Sequence, residues 1–229
     1  MSASHVITDV GVVGGAPGYL KAICAMASMM TTLSPSSVLL RMLRRKRDTG
    51  EIAWITLWTS ALAQTLWVTY YFLRPNDDTV ALWLSVFGAV TFFGYLFVHY
   101  SVSSYRDRPQ RRRMLYYLLV TIVLWGTAFT TIVPKKRRAD YAGVVCNIVN
   151  LIMLMAPLST LGEVFRTQSA RTIPSLPALA STFGAACWLL WGYLDNDIFV
   201  CVPSVIALLL GSVQLSLIGF YGSGAPKHP

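Results

Sequence analysis

The sequence predicts an all-α integral membrane protein: seven transmembrane helices forming two parallel three-helix repeats, joined by an inverting linker helix (3+1+3). Three observations predict it. The chain is 55% hydrophobic and only 13% charged, with a mean hydropathy of +0.54, far more apolar than a soluble core of this size requires. It divides into seven stretches that each reach the roughly 20 apolar residues needed to cross a bilayer. It also repeats a pattern. Pro35 to Trp67 spans 32 residues and Pro157 to Trp188 spans 31, and similar strings surround both tryptophans, Leu-Trp-Val-Thr-Tyr-Tyr-Phe-Leu-Arg-Pro-Asn-Asp and Cys-Trp-Leu-Leu-Trp-Gly-Tyr-Leu-Asp-Asn-Asp. Duplicated membrane units generally place a substrate site on the axis between them.

The first span, 17 to 43, follows Asp9 and carries Lys21 near its start, so it reads as a retained helix rather than a signal peptide. Pro35 lies inside it, where a missing amide and a ring clash predict a kink. The second, 52 to 73, holds Trp67 toward its end, and the third, 79 to 104, holds Ser85 and His99. These form the first unit, 17 to 104. The fourth, 114 to 134, matches neither copy. Three crossings leave the chain on the far side, so a further crossing is needed before the second unit can point the same way. The fifth, 141 to 165, is kinked at Pro157; the sixth, 174 to 194, opens on Pro174 and carries Trp188; the seventh, 198 to 221, carries Ser204. These form the second unit, 141 to 221. The tail after Tyr221 is expected to be disordered.

The net charge of +9 is confined to short connections. Thirteen of the 19 basic residues follow the first, third and fifth spans or lie in the C-terminal tail, which places the N-terminus outside and the C-terminus in the cytoplasm. Lys135, Lys136, Arg137 and Arg138 run against that assignment. Cys24, Cys146, Cys187 and Cys201 fall inside spans without paired spacing and read as small apolar core residues.

Two prolines at matching positions point to moving kinks, where a single one would suggest only a packed bend. Trp67 and Trp188, each alone an interfacial or core residue, as a pair can face one another across the axis and hold the apolar face of a pyranose ring. Ser85 and Ser204 are the matching polar candidates, although serines in membrane helices commonly bond to their own backbone. No cluster of His, Cys and carboxylate has metal spacing, and no nucleophile stands beside a base, so neither a metal site, a cofactor nor an enzyme is expected. All ten acidic residues lie in connectors or near span ends, which argues against proton coupling.

The stretch from Asn150 through Ala156-Pro157-Leu158-Ser159, Thr172-Ile173-Pro174, Cys187-Trp188, Asp197-Ile198-Phe199, Val202-Pro203-Ser204 and Gly211-Ser212-Val213-Gln214-Leu215 resembles the second repeat of a SWEET sugar transporter. Ser34-Pro35-Ser36, Thr49-Gly50-Glu51 and Leu66-Trp67 resemble the first, so the likeness covers about 200 residues. It implies a facilitative, uncoupled and bidirectional sugar carrier working by alternating access, in the plasma membrane or an organelle membrane, as a homo-oligomer. By position it implies site tryptophans at Trp67 and Trp188 and gate prolines at Pro35, Pro157 and Pro174, with Thr56 where the family has a fourth. It puts Ser85 and Ser204 where the family has asparagines, and pocket positions at Thr31, Ala63, Met153 and Gly184. Bulky Met153 resembles hexose carriers, whereas Ala63 and Gly184 enlarge the pocket. The alternatives are a related carrier of another small solute, such as an amino acid, and a seven-helix receptor; the seventh span holds no lysine for a retinal Schiff base.

Overall fold

Proline decides where the long apolar segments break. The computed structural model describes residues 15–45, 54–74, 79–102, 112–113, 116–117, 119–121, 125–126, 133–170, 173 and 175–222, with backbone alone at 38, 41–42, 45 and 155–160. The segment expected as one first span is two helices, α1 (Gly18–Leu33) and α2 (Ser36–Arg45). Pro35 has no amide to give the Thr31 carbonyl, and the Ser34 amide takes that acceptor instead, at 3.3 Å. The segment expected at 141 to 165 starts earlier and breaks likewise, into α5 (Arg138–Met153) and α6 (Met155–Thr167). The break at Leu154 falls where the Pro157 ring would press on the Met153 carbonyl of a continuous helix, and it leaves Pro157 in the first turn of α6, where no amide is needed.

The remaining helices are α3 (Trp54–Leu73), α4 (Val80–Val102), α7 (Ser175–Leu194) and α8 (Ile198–Tyr221), and a 3₁₀ turn at Lys135–Arg137 leads into α5. No strand occurs among the described residues. Of the span expected at 114 to 134, residues 116–117, 119–121 and 125–126 are helical and most of the rest lies outside the described residues. Its described aromatics pack on the first half of the molecule. Tyr117 stacks on Trp54 at 6.1 Å, and Trp125 packs against the Leu66 and Tyr70 cluster.

α4 packs on α1, α2 and α3, and α8 packs on α7, α5 and α6 in the same manner. The two sets meet where α1 lies on α7 and α5 lies on α3. At the first contact Cys24 is fully buried among Leu20, Ala81, Cys187 and Trp191; at the second, Cys146 is fully buried among Leu66, Tyr70 and Ala142. The free thiols serve here as small apolar packing groups. Close approach of α8 depends on glycine, since a Cβ at Gly211 would collide with the Thr182 hydroxyl of α7, and one at Gly143 of α5 would lie 2.6 Å from the Phe199 ring.

That last contact sets direction, because the start of α5 lies beside the start of α8. The same end collects the start of α1, the end of α3 and the Leu194–Ile198 turn, through the Ala16 amide on Asp195 at 2.8 Å and Arg74 on the Asp195 carbonyl at 3.3 Å. The run Lys135–Arg138 sits there too, opposite α2 and its Arg44.

The exterior is apolar. Tyr19, Phe72, Trp83, Phe97, Leu176 and Phe220 are all more than 60% exposed. α4 and α8, with mean hydropathies of 1.9 and 2.3, are long and apolar enough to cross a membrane. Serines on these two helices return their hydroxyls to the backbone four residues earlier, as Ser212 does to Leu208 at 2.8 Å.

Candidate functional site

A cavity of about 450 Å³ lies between the two helix sets, lined from α1, α3, α4, α5, α7 and α8. Seven of the residues singled out from the sequence line it: Trp67, Trp188, Ser85, Ser204, Thr31, Met153 and Gly184. Ala63 does not. α3 turns Gln64, Trp67 and Tyr71 to the cavity at the spacing of a helical face, and Ala63, a third of a turn from Gln64, is buried beside that face. Pro35 is half-buried and Thr56 exposed, both away from the cavity, and Pro174 lies outside the described residues.

The tryptophans are held differently. Trp188 stacks on Trp191 with ring centroids 4.9 Å apart and planes 5° from parallel, and its indole donates to the Ser28 hydroxyl of α1 at 3.0 Å. Trp67 stacks on Tyr71 at 5.5 Å and meets Tyr70 edge-on at the same distance. Each indole is thus fixed by an aromatic neighbour one turn or less away, which leaves a rigid apolar wall on two sides of the cavity.

The two serines are already engaged. Ser85 donates to the Ala81 carbonyl at 2.9 Å and Ser204 to the Val200 carbonyl at 2.7 Å, so each offers the cavity only acceptor lone pairs. Gln64 and Asn150, to which the sequence assigns no site role, present amides to the same space. A signal for them existed, since an amide within a membrane span is costly unless it meets water or a partner. Ser28, Tyr71 and Ser181 line it too, likewise with no site role assigned from the sequence. None of the described lining residues carries a charge.

Above the cavity, at the Leu194–Ile198 end, the space narrows to about 20 Å³ between Tyr71, Arg74, Trp188, Trp191, Asp195 and Asp197. A polar cluster closes it. Asp197 caps α8 by accepting from the Phe199 and Val200 amides, at 3.1 and 3.3 Å, and it also accepts the Tyr70 hydroxyl at 2.8 Å and pairs with Arg74. Asp195 accepts from the Ala16 amide at 2.8 Å and from the Trp191 indole at 2.7 Å. Lys21 lies 5.9 Å over the Trp191 ring. Three helices and the α7–α8 turn are tied together by these two carboxylates. At the opposite end Thr31 and Ser181, both exposed, form the cavity rim.

Among the described residues no group of His, Cys, Asp and Glu could hold a metal ion.

Comparison with known proteins places this architecture. The family model described as "Sugar efflux transporter for intercellular exchange" matches residues 18–107 and again 140–225. Sugar transporter SWEET1 of Caenorhabditis elegans is 28% identical over 76% of this chain and 56% of its own length. Bidirectional sugar transporter SWEET11 of Oryza sativa is 25% identical over 85% of this chain and 63% of its own. For bidirectional sugar transporter SWEET17 of Arabidopsis thaliana the figures are 25%, 91% and 86%. The chain therefore spans less than two thirds of the first two relatives. A solved structure of a eukaryotic SWEET transporter superposes with a TM-score of 0.79 over 90% of this chain and 96% of that one at 22% identity, which shows a shared fold. With the family model matched over both helix sets, the chain belongs to the family of sugar efflux transporters for intercellular exchange, integral proteins of the membrane.

Proposed function

We propose that this protein carries a neutral sugar, a hexose in the first instance, across a membrane by uncoupled, bidirectional alternating access. The observation that carries the reading is the composition of the cavity wall: two aromatically braced indoles, Trp67 and Trp188, together with hydroxyl and amide groups and no charge. Indole faces suit the C–H face of a pyranose ring, and neutral polar groups suit its hydroxyls. An amino acid zwitterion would bring both charges into a wall without countercharges. Bulky Met153 lines the cavity at the break between α5 and α6, which favours a single ring.

The carrier mechanism follows from how the two ends differ. Two parallel three-helix units, 17 to 104 and 141 to 221, joined by a linker at 114 to 134, would rock about the cavity. Separate matches of one family model to residues 18–107 and 140–225 support the duplication. The Tyr70–Arg74–Asp197 cluster closes the outer end, and the breaks at Pro35 and Pro157 lie toward the inner end, beside the cavity rim at Thr31 and Met153. Opening the outer end means separating Asp197 on α8 from Tyr70 and Arg74 on α3. Closing the inner end means pivoting α2 and α6 about the prolines, with Pro174 and Thr56 at the start of the neighbouring spans. The basic residues of α2 and the connectors support a cytoplasmic inner end.

Purified protein in proteoliposomes, offered glucose, fructose, galactose and sucrose with and without a pH gradient, tests the reading. Equilibrating uptake of a hexose that an imposed gradient does not drive is expected. Strict dependence on the gradient overturns the uncoupled mechanism, and uptake of amino acids without sugars overturns the substrate class.

A further inference from the structure

We propose that the solute is bonded in this protein by two amides, Gln64 of α3 and Asn150 of α5, rather than by the hydroxyls of Ser85 and Ser204. The inference rests on the sugar-carrier reading and names the residues that set its specificity.

Four observations converge. Both serine donors are spent on their own helices, at 2.9 Å to Ala81 and 2.7 Å to Val200, and both side chains are more than 90% buried. A sugar hydroxyl could reach them only as a donor to lone pairs behind the cavity surface. The side chains of Gln64 and Asn150 line the same cavity, and neither side-chain amide is hydrogen-bonded among the described residues. An amide carries two donors and a carbonyl, which match the donor-and-acceptor character of a ring hydroxyl pair, and inside a membrane protein such a group must be satisfied by water or by cargo.

The third observation concerns position. Asn150 stands 122 residues after Ser28, the offset that also separates Pro35 from Pro157 and Cys24 from Cys146. Ser28 holds the Trp188 indole. Its counterpart therefore stands seven residues before the kink proline of its own segment, as Ser28 does, but with its amide uncommitted. The fourth is support. Gln64 lies across Gly88 of α4, where a Cβ would come within 2.7 Å of its Cδ and 2.8 Å of its Oε1. The bare backbone of α4 makes room for the amide one turn before Trp67, so indole and amide present to the cavity from one helix face.

Equilibrium exchange of glucose and of each monodeoxyglucose, measured in proteoliposomes for wild type, Gln64→Met, Asn150→Leu, Ser85→Ala and Ser204→Ala, tests the assignment, with lipid-facing Ser212→Ala as the reference. Both amide variants keep side-chain size. Each is expected to raise the half-saturation concentration for glucose about tenfold, the scale of one lost hydrogen bond, and more than either serine variant does. Each is also expected to erase the preference for glucose over one particular deoxyglucose, since the hydroxyl it bonded no longer matters. A uniform rise for all analogues, with the preferences intact, overturns the proposal by showing a packing role alone. A larger effect at Ser85 or Ser204 overturns it in favour of the hydroxyls. Should wild type exchange no sugar while Trp67→Ala and Trp188→Ala leave exchange of another solute unchanged, the carrier reading fails and this proposal with it; normal glucose exchange in both amide variants overturns the proposal alone.

Discussion

Asn147 of α5 donates its side-chain amide to the backbone carbonyl of Phe199 in α8 at 3.1 Å. That acceptor is the one Pro203, four residues on, leaves without an intrahelical partner. The proline inside α8 is thus tolerated because a neighbouring helix supplies the missing donor, and the same amide also reaches the Gly143 carbonyl of its own helix at 2.9 Å.

Replacing Asn147 by Leu is accordingly expected to destabilise the protein by about 1–3 kcal/mol, the cost of a buried acceptor left unpaired. In a Pro203→Ala background, where residue 203 regains its amide, the same change is expected to cost about 1 kcal/mol less. A double-mutant cycle on unfolding in detergent measures this coupling. Additive costs would show that Asn147 acts elsewhere.

The carboxylate of Asp197 is expected to be the most sensitive position at the closed end. It is 4% exposed, caps α8, and compensates the Arg74 guanidinium. Asp197→Ala should cost about 3–5 kcal/mol, since it strands a partly buried cation as well as removing a cap. Tyr70→Phe, which removes the hydroxyl that donates to Asp197 and accepts from Arg74 but leaves the ion pair in place, should cost about 2 kcal/mol. Melting temperatures in detergent rank the two, and equal losses would contradict the central place given to the carboxylate.

Ser28 is expected to act through Trp188. Ser28→Ala releases the indole from its 3.0 Å bond and should raise the half-saturation concentration for sugar by about threefold to tenfold, the range of one net hydrogen bond. In combination with Trp188→Phe, which has no N–H to orient, Ser28→Ala should add nothing further. Exchange kinetics of the two single variants and the double variant decide it.

Much of this was legible in the sequence because membrane helices announce themselves by length. Expected starts at 79, 174 and 198 meet observed starts at Val80, Ser175 and Ile198. The prolines marked both helix breaks because their missing amide acts locally. The paired tryptophans led to the cavity through their spacing. What stayed hidden depends on side-chain rotation or on distant partners. Nothing local distinguishes a serine facing a solute from Ser85 and Ser204 folded back on their own helices. Ala63 and Gln64 are adjacent in sequence, and only the rotation of α3 decides which meets the cavity. Tyr70 and Asp197, 127 residues apart, are joined only once α3 stands beside α8.

Pro157→Ala is expected to separate turnover from affinity. Alanine restores an amide that can reach the Met153 carbonyl and lets α5 and α6 join across Leu154, so stability should hold or rise, by up to about 1 kcal/mol. The cavity wall at Asn150 and Met153 lies before the break and keeps its place, so equilibrium affinity for sugar should change by less than about threefold. A pivot, however, is lost. Exchange rate in proteoliposomes should fall about tenfold or more if alternating access turns on this break, as a barrier raised by about 1.4 kcal/mol would produce. Unchanged turnover with intact affinity would assign the bend to packing and leave Pro35 to carry the motion alone.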